Sequence, residues 1–337
     1  MPKQLSIIIV NYKSSQYILD CLQSADANLF DNDAIEWIVV DNDSKDNSQV
    51  IITAQFPFVR WFNMGYNAGF ARANNQGIKM AEANIVLLLN PDTLLLPGAI
   101  ETCLHNFVHS AHVACGVQLV HADRSPQFSG SYFMLGGINH LLALPYWGAL
   151  LKRFASVLKT NKPAVLNAGH EQVIDWISGA FLMVKKSAIE QAGLMDEDFF
   201  LYGEEVEWCS RLQKAGSLCL YGNINIIHLI GGTIQSATAS KDNSYTNLSD
   251  KKGLQLMISN HLRIRKQYGL FWFFFQLLNY TWAALFAFFA SFFYNLIRFN
   301  NPFTEFVSLF GLLQNVFKLW TIAPKIMSGK KHFYKYI

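Results

Sequence analysis

Leu5-Ser6-Ile7-Ile8-Ile9-Val10 is a run of mostly β-branched apolar residues closed by the polar Asn11-Tyr12. Strict alternation of apolar and polar residues would mark a strand with one wet face. A near-continuous apolar run of this length instead predicts a strand covered on both faces, the habit of parallel sheets. Four more such runs lie at Glu36–Val40, Val59–Asn63, Ile85–Leu89 and Val113–Val120. Between them the apolar spacing turns helical, over Ser14–Ala27 (Ser14 or Ser15 as cap), Asn47–Ala54, Ala71–Ala83 and Pro97–Ser110. The alternation predicts an α/β fold: a doubly wound, mainly parallel mixed sheet with flanking helices and ligands beyond the carboxyl ends of its strands.

Each of the first four predicted strands runs into a polar turn. These are Asn11-Tyr12, Asp41-Asn42-Asp43-Ser44, Met64-Gly65-Tyr66-Asn67-Ala68-Gly69 and Asn90-Pro91-Asp92-Thr93. One such turn is an ordinary cap or loop. Four at the same edge of one sheet predict a binding site. Neither G-x-G-x-x-G after the first strand nor G-x-x-x-x-G-K-[ST] anywhere is present, so a bound diphosphate needs a counter-charge other than a glycine-rich cradle. Asp92, on a proline-containing turn after a buried strand, suits an oxygen ligand for Mg2+ or Mn2+.

Charge is unevenly spread. The 337 residues carry a formal net charge of +3, with 51% hydrophobic and 15% charged residues, which excludes a disordered chain, a coiled coil and a small disulfide scaffold. Residues 1–250 hold 16 basic and 23 acidic side chains, whereas residues 251–337 hold 11 basic ones and a single acid, Glu305. A basic tail of this kind meets nucleic acid or a membrane surface. The five cysteines form no C-x-x-C pair, so neither a zinc site nor a disulfide framework is expected, and a reducing compartment fits. The apolar run near the N-terminus is about half as long as a signal-peptide core, which places the main body in the cytoplasm.

Downstream, Leu141–Leu158 is apolar and aromatic and reads as a surface helix, an acceptor loop or a membrane contact. Trp176–Val184 reads as one strand, followed by a short helix to Gly193. Residues 195–211 mix six carboxylates with Phe199, Phe200, Tyr202 and Trp208. A solvated acidic helix start is one reading; interleaved aromatics, which tend to bury a segment, favour a site. His228 follows an apolar run and is either a core histidine or a ligand.

Taken in order, Asp41-Asn42-Asp43-Ser44, the segment Asn67–Gly77, Asn90-Pro91-Asp92-Thr93, Trp176-Ile177-Ser178-Gly179-Ala180, the block Phe199–Arg211 and the late His228 resemble family-2 glycosyltransferases of the GT-A fold. Within that family they are most similar to the rhamnosyltransferase-like enzymes of bacterial surface-polysaccharide assembly. The resemblance runs from residue 5 to about residue 235. It implies an inverting, metal-dependent transfer from a nucleotide-sugar donor to a hydroxyl of a glycan or lipid-linked acceptor. Rhamnose from dTDP-rhamnose is the first donor it suggests, and a UDP-hexose the alternative. By the same resemblance Asn11 and Asp41 would hold the pyrimidine base, and Ser44, Asn67, Gly69, Asn74 and Asn90 would line the nucleotide-sugar pocket. Asp92 would bind the cation, with Asn90 standing where the family has an aspartate, and His228 would complete the metal sphere. Glu205 falls at the place of the catalytic base, usually Asp, with Glu204 the other candidate; Trp176, Gly179 and Glu204 would face the acceptor. Glycosyl transfer needs these parts on general grounds: a stabilised leaving diphosphate and a base for the acceptor hydroxyl. A reading from another class is a catalytically silent nucleotide-sugar-binding scaffold, suggested by the Asn90 and Glu205 departures. A processive synthase is disfavoured by the absence of Q-x-x-R-W.

Residues 267–297 contain no charge, a length beyond the ~20 residues needed to span a bilayer. Gln276, Asn279, Thr281, Ser291 and Asn295 interrupt the run, and its aromatic load suits an interfacial position. Arg263, Arg265 and Lys266 precede it; Arg298, Lys318, Lys325, Lys330, Lys331 and Lys335 follow. A hairpin would keep both flanks on one side, with a short second arm around Phe303–Phe317 carrying Glu305. In-plane or partly embedded helices fit this pattern better than a true span, and a core-packing helical subdomain is the other reading. Basic residues set among Phe and Leu suit lipid better than nucleic acid. The expected division is a transferase domain at 1–250 and a helical membrane-associating region at 251–337, working at the cytoplasmic face of the inner membrane. Oligomeric state has no signature in the sequence.

Overall fold

The computed structural model describes residues 3–25, 29, 34–157, 164–229, 247–301, 303 and 305–337. The helix end expected at Ala27 and the end of the Leu141–Leu158 stretch lie outside them. The chain forms two units. The first comprises Met1–Tyr132, Ala164–Phe200 and Glu204–Asn243, the second Phe133–Pro163, Leu201–Gly203 and Ser244–Ile337. Residues 133–163 and 201–203 therefore group with the second unit, where a division at residue 250 leaves them with the first.

The first unit is built on a nine-stranded mixed sheet. β1 (Leu5–Asn11), β2 (Ile35–Asp41), β3 (Arg60–Asn63) and β4 (Ile85–Leu89) are parallel and lie in the order β3-β2-β1-β4. They are joined by α1 (Ser15–Gln23), α2 (Ser48–Gln55) and α3 (Gly69–Met80). Every residue of β1, β2 and β4 is buried, because helices cover both faces. Ile7, Ile9, Trp37, Val39 and Leu87 pack on the side of α1 and α4 (Ala99–Val108). Ile8, Val10, Ile38, Val40 and Leu88 pack on the side of α3. Glu36, the carboxylate inside β2, is satisfied by Ser6 Oγ, by Arg60 and by the Glu82 N–H. Burial pushes its carboxyl up, but these hydrogen bonds and the Arg60 cation hold it below the usual range. The run at Val59–Asn63 is the exception to two-sided cover: β3 is an edge strand, with Arg60 and Asn63 exposed.

Beyond β4 the sheet changes character. β5 (Thr93–Leu95) and β6 (Ala114–Val120) follow, then β7 (Gly130–Ser131), β8 (Ala164–Val165), β9 (Gln172–Ile174) and β10 (Trp176–Ile177). β11 (Phe181–Lys185) runs antiparallel between β4 and β6, and β12 (Leu218–His228) lies parallel to β6. β5 and β9 both pair antiparallel with β12. The stretch Trp176–Val184 is not one strand. β10 belongs to a small sheet with β7 and β8, whereas β11 belongs to the main sheet. Ser178-Gly179-Ala180 makes the crossing, with the Ser178 N–H on the Ser129 carbonyl (2.9 Å) and the Ala180 carbonyl accepting from Asn90 N–H (3.0 Å). α6 (Lys186–Ala192) and α7 (Glu204–Leu212) complete the layer that holds α3.

The second unit is helical. A 3₁₀ segment, Leu135–Ala143, kinks at Gly136 and Gly137, both in the left-handed region (φ 63°). α5 (Trp147–Val157), α8 (Lys251–Tyr268), α9 (Leu270–Ile297) and α10 (Phe306–Met327) follow. The Asp250 side chain caps α8 by accepting from the Gly253 N–H (2.7 Å). α10 is longer than the short arm expected around Phe303–Phe317, because its buried stripe continues through Leu319, Ile322, Ala323 and Ile326. One residue read as part of the basic flank turns inward: Arg263 is buried, donates to Gln267 Oε1 (2.6 Å) and meets His140 Nε2 (2.5 Å), and Lys252 is buried on the same helix.

All five cysteines are buried and unpaired with one another as disulfides. Burial pushes the thiols of Cys21, Cys209 and Cys219 up to about 12. They therefore stay protonated at mildly alkaline pH, where only the thiolate reacts. A disulfide-exchange reagent such as DTNB should titrate essentially no thiol in the folded protein and all five after denaturation. Rapid reaction in the folded state would contradict this burial.

Candidate active site

The carboxyl ends of β1 and β2 are locked by side chains. Asn11 Nδ2 donates to Asp41 Oδ1 (2.8 Å) and Ser44 Oγ (3.1 Å), and Asn11 Oδ1 accepts from the Ser14 N–H (3.1 Å) that opens α1. Ser44 N–H donates to Asp41 Oδ2 (3.1 Å). Asn11 is completely buried, so it orients Asp41, which retains slight exposure. The turn after β3 is tied to the same edge by Asn42. Its Oδ1 accepts from the Ala68 N–H (2.7 Å) and its Nδ2 donates to Asn67 Oδ1 (3.1 Å). Gly69, at φ 78°, opens α3 against the Phe200 carbonyl, which accepts from the Phe70 N–H (2.9 Å). A Cβ there would come within 2.4 Å of that carbonyl oxygen, so both conformation and contact require glycine. Asn74 spends its amide inside α3, donating to the Phe70 carbonyl (3.0 Å). Its neighbour Asn75 straps α3 to Met195 and Glu197.

Asp92 and His228 are brought together by strand pairing. β5 begins directly after Asp92, and Thr93 lies opposite His228 in the register with β12. The Leu229 N–H donates to the Asp92 carbonyl (2.8 Å), and Thr93 Oγ1 donates to the Asn90 carbonyl (2.8 Å). His228 Nε2 then stands 3.5 Å from Asp92 Oδ1, with both side chains largely buried. Gln127, buried near the end of β6, sets the ring. Its Nε2 donates to the His228 carbonyl (2.6 Å), so its Oε1 faces His228 Nδ1 (3.2 Å) as an acceptor. Nδ1 therefore donates to Gln127, and Nε2 is the ring nitrogen that faces the carboxylate. An oxygen and an imidazole nitrogen so placed fit a divalent cation. Among the described residues no group of three or more His, Cys, Asp or Glu side chains is arranged to hold a metal, so the remaining ligands would come from substrate phosphates and water.

The acidic block resolves into separate jobs. Glu207 is held by both ends of the Arg211 guanidinium (2.8 Å each). Glu197 lies by Arg72, Lys79 and Asn75, and Asp196 caps the turn at the Asp198 N–H. In the first turn of α7, Glu204 is buried and Glu205 partly exposed. Glu205 packs over Gly179: a Cβ at that glycine would sit 3.7 Å from Glu205 Cβ and Cγ and from the Phe70 ring. Gly179 precedes Ala180, whose carbonyl binds Asn90, so Glu205 lies by the end of β4 that carries the Asn90-Pro91-Asp92 turn. Trp176 is half-buried at the start of the same crossing, its ring 5.1 Å from that of Phe128. Gln127, Asn42 and Thr93 have positioning roles that no single-residue signal in the sequence announces.

Residues 6–173, about half of the chain, match the sequence model of the family described as Glycosyl transferase family 2. The chain is 27% identical over 235 residues to the N-acetylglucosaminyl-diphospho-decaprenol L-rhamnosyltransferase of Mycobacterium tuberculosis, covering 66% of this chain and 74% of that protein. It is 28% identical over 237 residues to the low-salt glycan biosynthesis hexosyltransferase Agl10 of Haloferax volcanii, covering 67% and 64%. Among solved structures, the mannosyltransferase PcManGT from Pyrobaculum calidifontis, in complex with GDP-Man and Mn2+, superposes with a TM-score of 0.54. That likeness, at 14% identity over 95% of this chain and 90% of the other, is one of fold.

Removing the acceptor for Nδ1 frees the ring. Gln127→Leu should weaken Mn2+ binding in the presence of a nucleoside diphosphate about ten- to a hundredfold, read by electron paramagnetic resonance of free Mn2+. Gln127→Glu, which keeps an acceptor for Nδ1, should retain most of the affinity. Equal affinity of Gln127→Leu and the parent protein would show that ring orientation is set elsewhere.

Proposed function

The chain carries a family-2 glycosyltransferase domain, and we propose that it transfers a sugar, with inversion, from a nucleotide-sugar donor to a hydroxyl of a glycan or lipid-linked acceptor. The observation that carries this reading is the Asp92–His228 pair, set at the sheet edge formed by Asn11, Asp41 and Ser44. Asp41, held from both sides, would accept from the ring N–H of a uracil or thymine base. Asp92 and His228 would hold Mg2+ or Mn2+, which when bound supplies Lewis-acid stabilisation of the departing diphosphate.

Glu205 is the base in this proposal. Glu207 is committed to Arg211 and Glu204 is buried, whereas Glu205 reaches solvent beside Gly179. Its carboxylate takes the proton of the acceptor hydroxyl as that oxygen bonds to the anomeric carbon. The carbon–oxygen bond to the diphosphate breaks in the same displacement, and its electron pair leaves on the diphosphate. A single displacement inverts the anomeric centre. The mycobacterial relative's name supports L-rhamnose as the transferred sugar, with dTDP-rhamnose the proposed donor, and the Haloferax relative's name supports a hexose, with a UDP-hexose the second reading. A membrane location at the cytoplasmic face fits α9 and α10, which are long and apolar enough to cross a bilayer by length and composition.

With donor, acceptor and Mn2+, Glu205→Gln should lose about 10²–10⁴-fold in kcat, and the product should show the inverted anomeric configuration by NMR. Glu205→Gln with most of its turnover would move the base to another residue. Full activity of the parent protein in EDTA would remove the cation from the scheme.

A further inference from the structure

Helix α9 packs inside out by the rules of a water-soluble protein. Its buried side carries Phe273, Gln276, Leu277 and Tyr280 in the first half and only Ala283, Ala284, Ala287, Ser291 and Asn295 in the second. Every exposed residue from Leu270 to Ile297 is apolar, apart from Tyr294. From Phe271 and Phe275 through Trp282 and Phe289 to Ile297 these recur every three or four residues. They make one stripe along all 28 residues, about 42 Å long. Each of these polar side chains makes a hydrogen bond to its neighbours, although Gln276 Oε1 is buried with no partner among the described residues. Gln276 Nε2 donates to the Gly136 carbonyl (2.9 Å), and Asn295 Nδ2 to Ser291 Oγ (3.3 Å). Glu305, the only acid of residues 251–337, accepts from Ser291 Oγ (2.7 Å) and Tyr146 OH (2.8 Å). From Ala283 to Asn295, small and polar residues face inward and large apolar ones outward, the arrangement of helices against lipid.

α10 widens this surface. Exposed Phe306 pairs with Phe288 of α9 (5.2 Å between ring centres), and exposed Trp320 donates to Thr281 Oγ1 (2.9 Å). The two apolar stripes therefore adjoin along the seam. One flank of the α10 stripe is polar: Gln314, Lys318, Thr321 and Lys325 are exposed and spaced by four, three and four residues, a line parallel to the helix axis. Lys318 stands near the middle of this 22-residue helix. In a helix crossing the bilayer, that position falls near the centre of the hydrocarbon, where a lysine is strongly disfavoured. In a helix lying flat, Lys318 and Lys325 share one depth, with their stems on apolar surface and their ammonium groups among the headgroups.

We propose that α9 and α10 lie in the plane of the membrane as a hairpin, its aromatic face sunk into one leaflet and its Lys318–Lys325 edge on anionic lipid headgroups. This rests on the membrane location given under the proposed function and specifies its geometry. The test uses full-length protein bound to the outside of phosphatidylglycerol vesicles. Asn300→Cys, in the exposed turn between the helices, should react with an impermeant maleimide added outside, while the five native thiols are buried and silent. Lys318→Gln with Lys325→Gln should weaken binding to these vesicles about thirtyfold and leave binding to phosphatidylcholine vesicles little changed. Labelling only by reagent trapped in the lumen would overturn the flat arrangement while leaving the membrane location standing. Unchanged affinity of the double lysine variant would overturn the headgroup edge. Failure of the parent protein to bind either vesicle would overturn the membrane location itself.

Discussion

Three residues of backbone pairing place the site. β5 adds to the edge of β12 with Thr93 opposite His228, and that register sets the side chain just before Thr93 beside the imidazole. Nothing in the Asn90-Pro91-Asp92 turn alone requires a histidine nearby, and nothing at the end of β12 requires an acid. The pair exists because two strand ends far apart in the chain share a short antiparallel ladder. The Leu229 N–H on the Asp92 carbonyl extends that ladder past the strand, and Thr93 Oγ1 braces the turn from within. Each such hydrogen bond contributes only about 0.5–1.5 kcal/mol net, so the geometry is held collectively. Gln127 then fixes what the ladder leaves free, the rotation of the ring.

The two units meet the hydrophobic effect with opposite solutions. In the first, aliphatic side chains of β1, β2 and β4 fill both faces of the sheet, and polar groups gather at one edge. In the second, α9 sets aromatics such as Phe271 and Phe289 on its exposed side and Gln276, Ser291 and Asn295 on its buried side, beside Phe273, Leu277 and Tyr280. Exposed aromatics of this kind support the proposed lipid contact. The modest net charge of +3 hides this division, since the acids of residues 1–250 and the bases of residues 251–337 nearly cancel.

Much of the first unit was legible because burial on both faces leaves a continuous trace. Ile85–Leu89 is a strand with the bounds read from its composition, and Leu5–Val10 and Glu36–Val40 each extend by only a residue or two. β5 was not legible, because three residues are too few to carry a period. The break at Ser178–Ala180 was hidden for a related reason: small residues between two apolar runs look like continuation until two different sheets claim the ends. The turns at Asp41–Ser44 and Asn67–Gly69 were recognisable as polar turns at one edge of the sheet, yet the hydrogen bonds among them were not. Asn11 and Asn42 position their neighbours, and Asn74 bonds within its own helix.

By itself the sequence determined the fold class, the family resemblance, the edge of the sheet that carries the site, and the charge and apolarity of the tail. These follow from local composition and period, which every residue of a segment reports independently. Tertiary structure alone decided that Asp92 faces His228, that Gln127 orients the ring, and that Glu205, partly exposed, lies over Gly179 while Glu207 is bound by Arg211. It also decided which side of α9 is buried. Those facts depend on register and packing between segments distant in the chain, where a shift of one residue turns a side chain to the opposite face.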